Sequence, residues 1–279
     1  MMGTIKTLFR HKRFILGFVL FVMVLLFGIF GPIINSRNPF DTVGGLFTAP
    51  SNKYVLGTDN LGRDVLTELM HGTRTSLIIG FLGGIIATLI GVSIGAIAGY
   101  KGGTLEEVLM GFTNVVITIP TIVILILLSI AIKTRSLETM ALIIGVTSWP
   151  WTARAVRAQA SSLRTREHID LAKISGFRSI EIIILDVIPY MFSYIAMAFI
   201  LQFASGIMNE ATLSMLGLGP FNTISLGVML HWSLLWESVR VGAWWAFIPP
   251  VLFLSLTTFS LMCMNSSMDE IFNPRLRRS

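Results

Sequence analysis

Four places in the chain carry side chains able to do chemistry. GVSIG, residues 91–95, has the G-x-S-x-G spacing of a nucleophile elbow, where a serine on a sharp strand-to-helix turn attacks an acyl carbon. ELMH, residues 68–71, sets Glu68 and His71 one helical turn apart, a spacing that suits two ligands of one cation. REHIDLAKISGFRS, residues 166–179, is a polar run of mixed charge with a single glycine, Gly176. Glu210 ends one long apolar run, and Asn114 and Gln202 lie inside apolar runs.

The surroundings decide which of these is chemistry. The 279 residues are 53% hydrophobic and 13% charged, with a mean hydropathy of +0.77. Charge is absent from 14–34, 76–100, 108–132, 187–209 and 241–268, and from the shorter 139–153. A bilayer core takes about 20 helical residues to cross. The runs are continuous rather than alternating, and a helix satisfies its own backbone in lipid. The expected fold class is therefore all-α integral membrane, with six transmembrane helices. The first run is too long for the apolar core of a signal peptide and no Ala-x-Ala site follows it, so it reads as a retained helix.

In that setting Ser93 lies within a membrane helix, beside Gly80, Gly84, Gly91, Gly95 and Gly99, whose small-residue face suits close helix packing. The elbow has no strand to stand on. Glu68 and His71 make two ligands and no site; a joint site of His71 with His231 is the weaker remaining idea, and His11 and His168 have no ligand-like neighbours. The lone Cys263 forms no disulfide within the chain and no cysteine metal site. No G-x-x-x-x-G-K-[ST] occurs, so no bound ATP is expected here.

The net charge of +6 follows topology rather than nucleic acid. With the N-terminus in the cytoplasm and six crossings, fourteen Lys and Arg fall inside and seven outside, which favours N-in and C-in. The external segment 35–75 then holds Pro39, Gly44, Gly45 and Pro50 as turn residues. It also holds a short amphipathic helix on the outer surface, built on Val65, Leu66, Leu69 and Met70. The uncharged stretch 211–236 is broken by Gly217, Gly219, Pro220 and Asn222 and reads as a helix end, a turn and a short helix over about 225–236. Irregular backbone at membrane depth lines a cavity or is buried, so this is a candidate gate. Glu210 is costly facing lipid and is expected to face protein, paired in a partner, or a path. Asn114 and Gln202, polar within apolar runs, suit interhelical hydrogen bonds. Trp232, Trp236, Trp244 and Trp245 read as an aromatic belt, with Trp232 also a candidate gate residue.

The one long cytoplasmic loop, 154–186, reads as a helical knob. A first short helix over 168–175 stops at Gly176, which tolerates positive φ. Ser179 is placed to cap a second, with Glu181 in its first turn. On the residues alone, an ordinary interfacial loop is the competing reading.

The residues of that knob resemble the cytoplasmic loop of ABC importer permeases, whose pattern is E-A-A, three residues, G, nine residues, I-x-L-P. Asp170, Leu171 and Ala172 stand at the E-A-A positions, Gly176 is kept, and Asp186 and Ile188 precede Pro189 where Ile and Leu are usual. GTDNLGRDVLTELMHGTRTSL (57–77), EATLSMLGLG (210–219), SLGVML (225–230, with Leu226 for Trp) and NPRLR (273–277) resemble the second, C-type permease of the dipeptide/oligopeptide/nickel class. The run PFNTI (220–224) and NSSMDE (265–270) depart from that class.

The resemblance implies a type I importer permease: a cytoplasmic N-tail 1–13, a first membrane helix 14–34, the external segment 35–75, a core permease domain 76–265 with the coupling loop 158–186, and a cytoplasmic tail 266–279. It implies no catalysis and no cofactor or metal in this chain, with ATP and Mg held by two ATP-binding subunits. It implies a second homologous permease in a heterodimer, an extracytoplasmic solute-binding protein, membrane lipid around a multi-pass protein of the prokaryotic inner membrane, and no nucleic acid. Glu167, Asp170, Ala172, Gly176 and Arg178 are the expected ATPase-coupling residues, and Glu210, Asn114, Gln202 and Trp232 the candidate gate or path. Short peptides are the expected cargo, with short oligosaccharides as the alternative. Nickel is disfavoured by the lack of clustered ligands. A hydrolase built on Ser93 and a non-transporting scaffold are the readings from other classes.

Overall fold

The structure, a computed structural model, describes residues 8–272 apart from Lys133 and Phe221. The described chain is helical. α1 spans Lys12–Ile34, α2 Val65–Lys101, α3 Gly103–Thr118, α4 Thr121–Ala131 and α5 Leu137–Leu163. α6 (Glu167–Ile174) and α7 (Ser179–Ile182) form the knob, and a π-helical segment, Ile183–Val187, leads through one turn into α8 (Phe192–Leu213). A second π-helical segment, Ser214–Leu218, ends α8; α9 (Leu226–Leu235) and α10 (Trp244–Phe272) follow.

Length and apolarity qualify four helices to cross a membrane: α1, α2, α8 with its continuation to Leu218, and α10. The pair α3 and α4 is a fifth candidate if the two count as one span, bent by 84° at Pro120. Proline has no N–H to give and pushes the residue before it out of helical conformation, and Ile119 is extended accordingly (φ −85°, ψ 126°). The run 108–132 is thus two helices rather than one kinked helix. α5 contains the apolar 139–153 and continues through Arg154 and Arg157 to Leu163.

The expected surface helix before residue 76 is instead the first part of α2, and it is buried. Asp64 caps α2 by accepting from the Thr67 N–H at 3.1 Å, and nothing between it and Lys101 breaks the helix. Val65 and Leu69 are packed in the main core with Leu226, Leu230 and Trp245, and Asn35 Nδ2 donates to Thr67 Oγ1 at 2.7 Å, tying α1 to this part of α2. Trp245 is likewise no belt residue: its indole N–H donates to the Thr58 carbonyl at 3.0 Å, clamping the loop between α1 and α2. In that loop Asp59 accepts from the Leu61 and Arg63 amides at 2.8 and 2.7 Å. Burial nevertheless pushes its carboxyl above the usual range, against the pull of those amides.

α2 is the spine. Its glycine face splits between two partners. Gly80 and Gly84 admit Ile207 and Phe203 of α8, and Gly91, Gly95 and Gly99 lie against α5. A Cβ at Gly95 would stand 2.5 Å from the Ala153 carbonyl oxygen. Backbones this close gain dispersion contacts that lipid cannot replace.

Candidate functional site

The knob stands on an apolar footing. Ile169 of α6 and Ile182, Ile183 and Val187 of the second arm are buried against Val92, Ala96 and Tyr100 of α2 and Val156 and Ala160 of α5. Ala172 packs partly on the same cluster. Gly176 has φ +82° with nothing near its missing Cβ, so conformation rather than crowding selects glycine. Ser179 is the first helical residue and caps nothing; Glu181 closes the N-terminus by accepting from the Arg178 amide at 2.7 Å.

The outward surface differs from expectation in its chemistry. Glu167 is exposed, Asp170 pairs with Lys173 on its own helix at 2.8 Å, and Arg178 is exposed. Between them Leu171, Ile174 and Phe177 stand 65%, 84% and 50% exposed. These three apolar side chains were not singled out by sequence, though a period of three read from Leu171 marks them.

Gln202 is buried on α8 and donates from Nε2 to the Ser148 carbonyl (2.9 Å) and to Thr152 Oγ1 (2.7 Å) of α5. It borders a cavity of about 380 Å3 at the α3–α4 bend, with Thr121, Thr147, Ser205 and Asn209 also on its wall and no charged side chain. One turn further along α3 and α5 lies a second hollow, of about 660 Å3, that contains Asn114. There Arg154 donates to Asn114 Oδ1 at 2.6 Å, and Arg157 pairs with Glu106. The structure therefore places Gln202 and Asn114 in two separate hollows, the first with neutral walls and the second lined by Glu106, Glu107, Arg154 and Arg157.

Glu210 is elsewhere. It is fully buried, and its carboxylate accepts from Ser214 Oγ at 2.6 Å and from Ser76 Oγ at 2.7 Å. Ser76 in turn accepts from the Leu226 amide at 3.1 Å, so one serine joins α8, α2 and the start of α9. Ser225 donates to Ser214 Oγ and caps α9 through the Val228 amide. Ser214 lies one turn after Glu210 and is visible as such in sequence; Ser76 is too distant for any local signal. Beyond this cluster Gly217 turns with φ +77°, and its carbonyl accepts from Arg135 at 2.8 Å. Trp232 is half-buried beside His231, whose ring nitrogen meets the Met215 carbonyl at 2.9 Å.

Two other chemistries find no support in the geometry. Ser93 lies in mid-helix and donates to the Leu89 carbonyl at 2.7 Å, with no strand before it. Among the described residues no group of three or more His, Cys, Asp or Glu is placed to hold a metal ion.

A bundle of apolar helices with one of them broken, a cavity walled by neutral polar groups and a helical knob on an apolar footing is the build of a membrane transport subunit. Comparison with known families fixes which one. Residues 91–278 match the family described as "Binding-protein-dependent transport system inner membrane component". The chain belongs to that family, the permeases of ABC importers, and within it to the dipeptide/oligopeptide class. It is a multi-pass protein of the prokaryotic cell membrane. It is 31% identical over 280 residues to the dipeptide transport system permease protein DppC of Bacillus subtilis (strain 168), covering 98% of this chain and 85% of that one. It is 29% identical over 271 residues to the oligopeptide transport system permease protein OppC of the same strain, covering 96% and 87%. It is 25% identical over 282 residues to the di/tripeptide transport system permease protein DppC of Pseudomonas aeruginosa (strain UCBPP-PA14), covering 97% and 91%.

Proposed function

We propose that this chain is one of two permeases of an ATP-driven importer and forms half of the path for short peptides. The names of its relatives support the cargo, since each is a permease of a dipeptide, oligopeptide or di/tripeptide system. The neutral cavity suits it too: hydroxyls and amides at Thr121, Thr147, Gln202, Ser205 and Asn209 can exchange hydrogen bonds with peptide backbone whatever its side chains. These three names point to peptide rather than oligosaccharide.

The distribution of Lys and Arg supports N-in and C-in, and α5 supplies the sixth crossing. The divisions 1–13, 14–34, 35–75, 76–265 with loop 158–186, and 266–279 follow from that topology. A homologous permease completes the path in a heterodimer. Two ATP-binding subunits, which hold ATP and Mg, grip the two knobs from the cytoplasm, and a solute-binding protein delivers peptide from outside. Nucleotide binding draws the ATP-binding subunits together, and the knob carries that motion to α2 and α5. Such a change is a biased two-state equilibrium, so the ATP-binding subunit must hold the knob differently in each state.

The observation that carries this reading is the knob itself: buried on its inner side, and presenting Leu171, Ile174 and Phe177 outward around a glycine-made turn. In this arrangement Glu167, Asp170 and Arg178 form a charged rim, Ala172 and Gly176 set the shape, and the apolar trio is the centre of the contact. Ile174→Asp tests it in the purified four-subunit complex. The side chain is solvent-exposed, so the permease should fold. Association with the ATP-binding subunit should weaken roughly thirtyfold, as expected at a contact hot spot, and peptide-stimulated ATP hydrolysis should fall with it. Undiminished association and stimulation would overturn the reading.

A further inference from the structure

A groove of about 700 Å3 runs between α1, α2 and α8 on the outside of the bundle. Its walls include Ile29 and Ile33 of α1, Ile78, Phe81 and Leu82 of α2, and Phe203 of α8. Phe81 and Phe203 meet edge to face with ring centres 5.8 Å apart and form its floor. The groove has one polar side chain, Arg74, set about one and a half turns down α1 from its end at Ile34, where Gly28 lets the α2 backbone come close.

Arg74 is exposed and makes no hydrogen bond or ion pair among the described residues. Three other arginines near the helix ends have partners: Arg154 holds Asn114, Arg157 holds Glu106, and Arg135 holds the Gly217 carbonyl. A guanidinium within a crossing helix needs an anion or must reach the interface. Here it enters a slot with otherwise apolar walls at the level of Gly28, about one and a half turns in from the outermost lining residue, Ile33. From the level of Arg74 at Gly28 down to Phe21 the slot runs roughly 10 Å by helical rise, room for the upper half of an extended fatty-acyl chain.

We propose that this groove is a binding site for a glycerophospholipid, with one acyl chain laid along α1 and α2 and the phosphate diester on Arg74. The guanidinium fork matches a phosphate's oxygens, and basic pockets between membrane helices take lipid head groups in this way. An apolar helix of a protein neighbour would fill the walls but leave Arg74 without an anion, which a phosphate diester supplies. Under the orientation proposed above, the lipid belongs to the outer leaflet.

The test uses the assembled importer, stripped of lipid in detergent, supplied with phosphatidylglycerol and weighed by native mass spectrometry. The unaltered complex should retain the lipid, and Arg74→Gln should retain about tenfold less, the loss of one charge-assisted hydrogen bond. Ile78→Trp, which fills the slot and leaves Arg74 in place, should also lose it, and decides the matter if Arg74→Gln does not assemble. Equal retention in the altered complexes, or none in the unaltered one, would overturn the proposal. So would a photo-crosslinker at Leu82 that captures the second permease in place of lipid.

Discussion

Glu210 has no cation beside it among the described residues; two serine hydroxyls donate to it, and one of those serines also holds the first amide of α9. The carboxylate thus acts as an acceptor hub for three helices. Removing it leaves the Ser76 and Ser214 O–H donors without an acceptor in the interior, and each buried unsatisfied donor costs about 1–3 kcal/mol. Glu210→Ala should lower the melting temperature of the purified complex by several degrees. Glu210→Gln keeps one carbonyl acceptor and should lower it less. Equal melting of the two variants would show that shape, rather than hydrogen bonding, is what the site requires. The same logic separates Gln202 from Asn114: the first is a buried brace between α8 and α5, the second an exposed amide steered by Arg154 in an open hollow.

At the scale of elements, the glycines of α2 set the distance to α5. Gly95→Val would drive a side chain into the Ala153 carbonyl and the Val156 Cβ, 2.5 and 2.8 Å from where a Cβ would stand. Overpacking of this kind costs about 1–3 kcal/mol, and the variant should accumulate poorly in the membrane. Gly111→Ala is the control: it lies on an exposed face of α3 with nothing within 4 Å, and its level should be unchanged. Should both variants accumulate normally, the close approach of α2 and α5 is dispensable.

The apolar runs and the turn at Gly176 were legible in sequence because composition and backbone permissiveness are local properties. The short helix over 225–236 was legible for the same reason, and α9 occupies Leu226–Leu235. What lay hidden was set by contacts across the chain. The first turns of α2 look amphipathic and are buried because α1, α9 and α10 close over them. Pro120 announced a kink but not its size, which depends on how α4 seats against Met140 and Ile144 of α5. Glu210 was recognisable as costly in lipid, yet its partner Ser76 is 134 residues away and no pattern links the two.

At the scale of the molecule, the proposed N-in, C-in arrangement makes a direct prediction. In a Cys263→Ser background, cysteines placed at Ser175 in the knob and at Asn52 in the external loop are both exposed. A membrane-impermeant maleimide added to intact cells should label the Asn52 position and spare the Ser175 position until the membrane is opened. The reverse pattern would invert the whole topology and with it the place of every partner.

α2 has 37 residues, roughly 55 Å by helical rise, well beyond the thickness of a bilayer core. Tyr100 at one end rests on the footing of the knob, and Ser76, two-thirds of the way to the other, holds the Glu210 cluster and the start of α9. No proline interrupts it between those points. If the knob is gripped as proposed, this unbroken helix is a pushrod: a thrust delivered at Tyr100 reaches the Glu210 cluster and α9 with no break in the helix to absorb it.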